Sequence, residues 1–168
     1  MKKSERVDAL CRAALLLTQE KGWAAVTLPD IAEAADLPIS KVFKLAPSKV
    51  GVLKLISAWF DERLLLELDR SSKDQSVRDQ LFDVMMQRLE VMEAYKPALV
   101  SIAQSLCRDV SVGLALRPQG LATMRLMLEA VGVSTSGVSG ALRMRGLGVV
   151  WLMTVRQWLD DDDLGLAK

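Results

Sequence analysis

Residues 27–49 read TLPDIAEAADLPISKVFKLAPSK, and their punctuation decides the fold. Thr27 can cap a helix whose first turn takes Pro29, where a missing N–H costs nothing. Asp30 follows three residues after the cap, the spacing of a capping box. Leu28, Ile31, Ala32 and Ala35 then place apolar atoms on one side of a short helix. Asp36-Leu37-Pro38 breaks it. Ile39 to Leu45 makes a second short helix with Val42 and Leu45 inward. Pro47 ends that helix, and Ser48 caps a long one. Helix, tight turn, helix is the helix-turn-helix arrangement of DNA-binding proteins.

Working outward, Val7, Leu10, Ala14 and Leu17 recur at helical spacing, so residues 5–21 are predicted to form a helix behind this unit. Lys2, Lys3 and Arg6 precede it. Gly22 ends it, and Trp23 is expected under the head. After Ser48 a helix is expected to run to about Arg70, with Leu53, Ile56, Phe60 and Leu64 as its stripe and Trp59 and Leu66 beside it. Ser71-Ser72-Lys73-Asp74 reads as a polar hinge. Residues 76–94 form another amphipathic pattern, with Leu81, Val84, Met85, Leu89 and Met92 inward. Tyr95-Lys96-Pro97 interrupts it, and Ala98 to Cys107 continues as an apolar helix. Gly113, Pro118 and Gly120 mark Asp109 to Gly120 as a loop or broken helix. Leu121 to Val131 is helical again and ends at Gly132. Ser134 to Gly140 reads as a small polar loop, and Ala141 to Leu159 as the last long helix. The acidic run Asp160 to Asp163 opposes the macrodipole and should stop that helix. There is no strand pattern. The expected fold is all-α: an N-terminal three-helix helix-turn-helix domain over residues 1–50, on a C-terminal helical bundle over residues 51–168, to which the resemblance described below assigns ligand binding and dimerisation.

Of the 168 residues 51% are hydrophobic, with only three Phe and one Tyr, so Leu, Val, Ala and Met must fill the core. The net charge is +1, which argues against a protein that coats nucleic acid along its whole surface. Residues 1–55 hold nine Lys and Arg against six Asp and Glu, a basic head on a mildly acidic remainder. Cys11 and Cys107 stand apart on apolar patterns, which suits a reducing cytoplasm and two buried thiols. No signal peptide and no membrane-spanning run is expected.

The chain has no His, which removes the commonest general base and a principal metal ligand. It shows no glycine-rich phosphate loop and no CxxC pair. Asp160 to Asp163 lacks the spacing of an EF-hand and reads as a solvated acidic stretch. No catalytic residue, metal site or cofactor is therefore expected, and the chain is not expected to be an enzyme. The lysines are more informative. Lys41 and Lys44 share one face of the second short helix, opposite Val42 and Leu45. That face could meet phosphates or a guanine edge, with Lys49 and Lys54 nearby; the bland alternative is an ordinary solvated face.

The segment from Ala9 to Leu53 resembles the DNA-binding domain of the tetracycline-repressor (TetR) family. The resemblance rests on Glu20-Lys21-Gly22-Trp23 closing the first helix, on Thr27 followed by Ile31-Ala32, and on Phe43 followed by Ser48-Lys49. It departs from the family pattern at Asp36 and Pro38, where Gly and a capping Ser are usual, and at Phe43 and Ala46, where aromatics, the first usually Tyr, are usual. The resemblance implies a ligand-responsive repressor that binds double-stranded operator DNA as a homodimer. Its DNA-facing set would be Thr27, Ile39, Ser40, Lys41, Phe43, Lys44 and Lys49.

In the body, seven methionines accompany a set that could surround an apolar small molecule or lipid between helices: Trp59, Met85, Leu89, Ile102, Leu106, Met124 and Leu128. No charged group is fixed among them; plain core is the alternative. The last two helices would form a dimer bundle, with Gly140, Gly146 and Gly148 allowing close approach and Gly146, Val149, Leu152 and Val155 as contacts. A second resemblance is more diffuse. Val77-Arg78 to Arg88-Leu89-Glu90 and Trp151 to Trp158-Leu159-Asp160 look like the lipid-binding protein family of coenzyme Q biosynthesis. It implies a non-DNA-binding isoprenoid-lipid accessory protein with a TetR-like fold.

Overall fold

The computed structural model describes residues 2–68 and 76–161. These hold α1 (Lys3–Lys21), α2 (Leu28–Ala34), α3 (Ile39–Leu45), α4 (Lys49–Leu68), α5 (Val77–Glu93), α6 (Lys96–Arg108), α7 (Val110–Ala130) and α8 (Gly137–Asp160), with no strand among the described residues. The expected end of α4 near Arg70, the hinge at Ser71-Asp74 and the aspartates Asp162 and Asp163 lie outside the described residues.

The head forms through local chemistry. Thr27 Oγ1 accepts from the Asp30 N–H at 3.3 Å, while the Asp30 carboxylate accepts from the Thr27 N–H at 2.8 Å. This reciprocal pair satisfies two N–H groups at the start of α2. Hydrogen bonds from Lys21 and Thr27 pull the Asp30 carboxyl down to about 2. The turn to α3 places Asp36 at φ +50°. Asp tolerates this left-handed conformation better than most residues, so the turn closes without the usual Gly. Leu37 is buried beneath the turn, and its N–H donates to the Ala32 carbonyl at 2.9 Å. Ser48 Oγ then accepts from the Gly51 N–H at 3.1 Å and caps α4.

α4 is the spine, packing against α1 and α3 on one side and α5 and α7 on the other. Leu10, Val26, Ile31, Val42, Val52, Ile56 and Phe60 join Leu89, Met92, Ile102 and Trp158 in one core that runs from head into body. A second core beyond it holds Leu64, Val84, Met85, Met124, Met127, Leu128 and Leu147. Each fully buried side chain of this size contributes about 1.5–3 kcal/mol. The head is thus seated on the body through shared apolar contacts.

Three sequence expectations need correction. Asp109 to Gly120, expected as a loop or broken helix, is broken only at Asp109 and helical from Val110 onward. After a 120° bend, α7 runs unbroken through Gly113, Pro118 and Gly120. Asp109 Oδ1 caps it by accepting from the Ser111 N–H at 3.0 Å. Pro118 cannot donate to the Leu114 carbonyl, but both residues face solvent, where water can satisfy that oxygen. Burial of Thr123, Met124 and Met127 against neighbouring helices outweighs the local cost. Cys107 is exposed; only Cys11 is buried, and burial pushes its thiol up to about 12.

The third correction is at α8, which begins at Gly137 rather than Ala141. Gly140 explains it. A Cβ there would stand 2.1 Å from the Thr135 carbonyl carbon, so only Gly lets this turn lie against the preceding backbone. Gly140 therefore serves the chain's own packing, and Gly148 faces Met124; of the three glycines assigned to a dimer bundle, Gly146 alone meets open space. Gly140→Ala is expected to destabilise toward the upper end of the about 1–3 kcal/mol typical of over-packing, because the opposing atoms are backbone. Gly113→Ala, at an open position of α7, should stabilise by roughly 0.5–1 kcal/mol. Urea midpoints of the two variants check the contrast, and equal midpoints would refute it.

Candidate functional site

α3 presents Ile39, Ser40, Lys41, Phe43 and Lys44 to solvent, held from behind by buried Val42 and half-buried Leu45. Phe43 is 49% exposed, a large ring half open to solvent. Thr27 is exposed at the start of α2, its hydroxyl engaged with the Asp30 N–H. Six of the seven residues assigned to DNA are therefore exposed on the head. No described carboxylate pairs with Lys41 or Lys44, so both ammonium groups remain available to phosphates.

Lys49 is placed differently. Its Nζ donates to the Trp23 carbonyl at 2.6 Å and the Ala24 carbonyl at 3.3 Å, and lies 4.8 Å from the centre of the Trp23 ring. Partial burial lowers its pKa. It ties the loop after α1 to the first turn of α4. The Trp23 N–H continues this seam into the body by donating to Ser101 Oγ at 2.9 Å. A second seam lies at Asp8, which accepts from Trp59 Nε1 at 3.0 Å and Arg63 Nη2 at 2.8 Å. Burial pushes the Asp8 carboxyl up, but hydrogen bonds from Arg63, Trp59 and Arg12 outweigh it and leave it below its ordinary value.

The seven residues assigned to a ligand do not gather around one cavity. Trp59, Leu89 and Ile102 are sealed in the first core, with Leu106 packed against it. Trp59 packs edge-on against Tyr95 and tilted against Phe60, and spends its indole N–H on Asp8. Met85, Met124 and Leu128 belong to the second core. Met85 and Leu128 alone of the seven reach an open groove of about 660 Å³, which has the size of a small-molecule site. α5 forms one wall with Leu81, Phe82 and Met86; α8 forms the other with Leu147, Val150 and Thr154. Both helices pack on α7 or its following loop, and the gap between them is the groove. Arg78 and Arg143 also line it, contrary to the expectation of a site without fixed charge.

α4, α5 and α7 share a polar cluster that the apolar spacing did not reveal. Arg88 Nη1 of α5 donates to Asp61 Oδ1 of α4, both buried. Asp61 Oδ2 also accepts from Thr123 Oγ1 at 2.9 Å and Gln119 Nε2 at 3.3 Å, both on α7. The Arg88 guanidinium lies 5.6 Å from the Trp151 ring of α8. Desolvation lowers the Arg88 pKa, and the Asp61 charge opposes that shift. One signal was present: Arg88 stands three residues after Met85 and four before Met92, on an apolar stripe. Among the described residues no cluster of three carboxylates or thiols is placed to hold a metal ion.

On the outer face of α8, Val149 and Leu152 are strongly exposed and Gly146 has open space beside it. Val155 differs: it is partly buried against the first core.

No protein-family model and no curated protein matches this chain. Solved structures do. The TetR transcriptional regulator from Nitrosomonas europaea ATCC 19718 is similar at TM-score 0.74 and 18% identity, over 94% of this chain and 87% of that one. A TetR transcriptional regulator from Rhodococcus sp. RHA1 is similar at TM-score 0.72 and 20% identity, over 95% and 86% of the two chains. Salmonella enterica GusR follows at TM-score 0.62 and 19% identity, over 96% and 85%. At these identities the likeness concerns fold. The chain has the all-α fold of TetR transcriptional regulators, with the helix-turn-helix at its N-terminus.

Proposed function

We propose that this chain is a ligand-responsive DNA-binding transcriptional regulator, not an enzyme, acting in the cytoplasm as a homodimer on double-stranded operator DNA. Residues 1–50 would hold DNA, and residues 51–168 would bind an apolar effector and the second copy. The observation that carries this reading is the outward cationic face of α3, set on a closed helix-turn-helix that shares its core with the body. Ile39, Ser40 and Phe43 would enter the major groove, and Lys41 and Lys44 would meet phosphates or a guanine edge. Thr27 would approach the backbone. Lys49, committed to Trp23 and Ala24, would support the surface from behind.

Selection from random duplexes, followed by a salt series on the selected sequence, tests this. The parent should show a selected sequence and affinity that falls steeply with salt. Lys41→Ala with Lys44→Ala should weaken binding across sequences and reduce the salt slope by about two. Both side chains are exposed, so stability should change by less than about 0.5 kcal/mol. Parent-like binding by the double variant would refute the assignment.

The apolar groove favours a second reading, the lipid-binding accessory protein without DNA function. Pro38, which gives α3 no side-chain cap, is consistent with it. The same selection decides: no enriched sequence, with lipid uptake by the parent, supports this alternative.

A further inference from the structure

We infer that the groove between α5 and α8 takes an amphipathic monoanion, a medium-length acyl chain bearing one carboxylate, with the chain along the apolar walls and the carboxylate between Arg78 and Arg143. The inference rests on the effector reading above and names the chemical class of that effector.

Register brings the two arginines together. Trp158 Nε1 donates to Glu93 Oε2 at 2.8 Å, which sets the C-terminal ends of α5 and α8 side by side, 65 residues apart in sequence. One to two turns earlier, Arg88 meets the Trp151 ring, so the helices run in the same direction. The two contacts give offsets of 65 and 63 residues, which set Arg143 beside the first turn of α5, where Arg78 stands. Both line the groove, and no carboxylate does. Arg143 donates to the Ser134 carbonyl at 3.1 Å, which orients the guanidinium and leaves further donors for a ligand. Arg78 makes no hydrogen bond or ion pair among the described residues.

Beyond the arginines the walls turn apolar. From Arg143 to Thr154, α8 extends roughly 16 Å along the groove at 1.5 Å per residue. Val150 and Phe82 are both more than half exposed there. An apolar tail would cover them, and Met85 and Met86 can adjust to its shape. A cationic head would be repelled at the arginine end, while an uncharged one would forfeit the charge-assisted bonds. The arginines thus select the sign of the ligand and the walls select its length.

Calorimetric titration of the full chain with dodecanoate, dodecanol and dodecyltrimethylammonium, all below micelle formation, tests the inference. Dodecanoate should bind about tenfold or more tightly than dodecanol, and the ammonium compound weakest. Arg78→Gln with Arg143→Gln should lower dodecanoate to the level of dodecanol and leave dodecanol unchanged. Val150→Trp should abolish both at an unchanged melting temperature. Equal affinity for the three probes, no binding by the parent, or dodecanoate binding indifferent to the arginine pair would overturn the inference. DNA affinity is measured on the same samples. Dodecanoate that binds by these rules without changing DNA affinity keeps the site and refutes the ligand response. DNA release that ignores the arginine pair keeps the regulator and refutes this site.

Discussion

Arg88→Ala is expected to cost about 3–5 kcal/mol, the scale of breaking a buried ion pair by removing one partner. The side chains are nearly inaccessible: Arg88 is 5% and Asp61 10% exposed. Without the guanidinium, the Asp61 carboxylate keeps only the Thr123 hydroxyl and the Gln119 amide. Two neutral donors do not replace a paired cation in a dry environment. The loss would be a large share of the 5–15 kcal/mol that typically holds a domain together. Replacing both ions, Asp61→Leu with Arg88→Met, should recover most of it, because apolar residues of similar volume often substitute a buried pair at little cost. Urea unfolding followed by two optical probes checks both variants. A cost below about 1 kcal/mol for Arg88→Ala would mean that water reaches Asp61 and that the pair is not a buried one. Function has a stake in this cluster, since it joins α4, which carries the head, to α5 and α7, whose Met85 and Leu128 line the groove. In the double variant a regulator would keep its fold and DNA affinity but lose part of the effector response. An unchanged response would locate the coupling elsewhere along α4.

What could be read from the sequence was local. Thr27 and Asp30 cap α2 within one turn, Asp36 closes the bend, and Ser48 starts α4, so every signal lies within a few residues of its partner. The helical stripes behind them were legible for the same reason. Local signals misled where tertiary packing outweighed them. Gly113 and Pro118 read as breakers, yet α7 runs through both because its far half is buried. Lys49 was grouped with the DNA-facing lysines, but Trp23, 26 residues earlier, captures it. The ligand set failed for a related reason. Apolar spacing identifies which side chains turn inward and cannot tell which of two cores receives them, so Trp59 and Met124 were joined although they lie in different clusters. Arg78 and Arg143 were beyond reach, since they stand 65 residues apart in sequence and only the tertiary fold puts both on the lining of one groove.

Val149→Glu is expected to convert a dimer to a monomer. Along α8, Val138, Leu142, Val149, Leu152 and Met153 are between 59% and 80% exposed. A single exposed Leu is ordinary, but five large apolar side chains on one helix face form a patch of the kind that marks an interface. Val138, Leu142, Val149 and Leu152 follow three- and four-residue spacing, with Arg145 completing the series. That is the seam along which two helices pack. Gly146 lies in the middle, and a Cβ placed there would meet no atom within 4 Å, so a second backbone can come close. Val155 turns partly toward the first core and should contribute less than the other three residues assigned to this contact. A Glu at Val149 faces solvent in the free chain, so the monomer's stability should change by less than about 0.5 kcal/mol. Between two copies it would bury two unpaired like charges. Gly146→Glu should act the same way by filling the close approach. Light scattering measures the mass of parent and variants: a monomeric parent ends the idea, and a dimeric Val149→Glu variant moves the interface off this face. A DNA measurement adds an independent check. Two linked heads engage two half-sites at an effective concentration that a single head lacks, so the monomeric variant should lose about 10²-fold or more in affinity for the full operator. Its affinity for one half-site should match the parent's, because α3 is untouched.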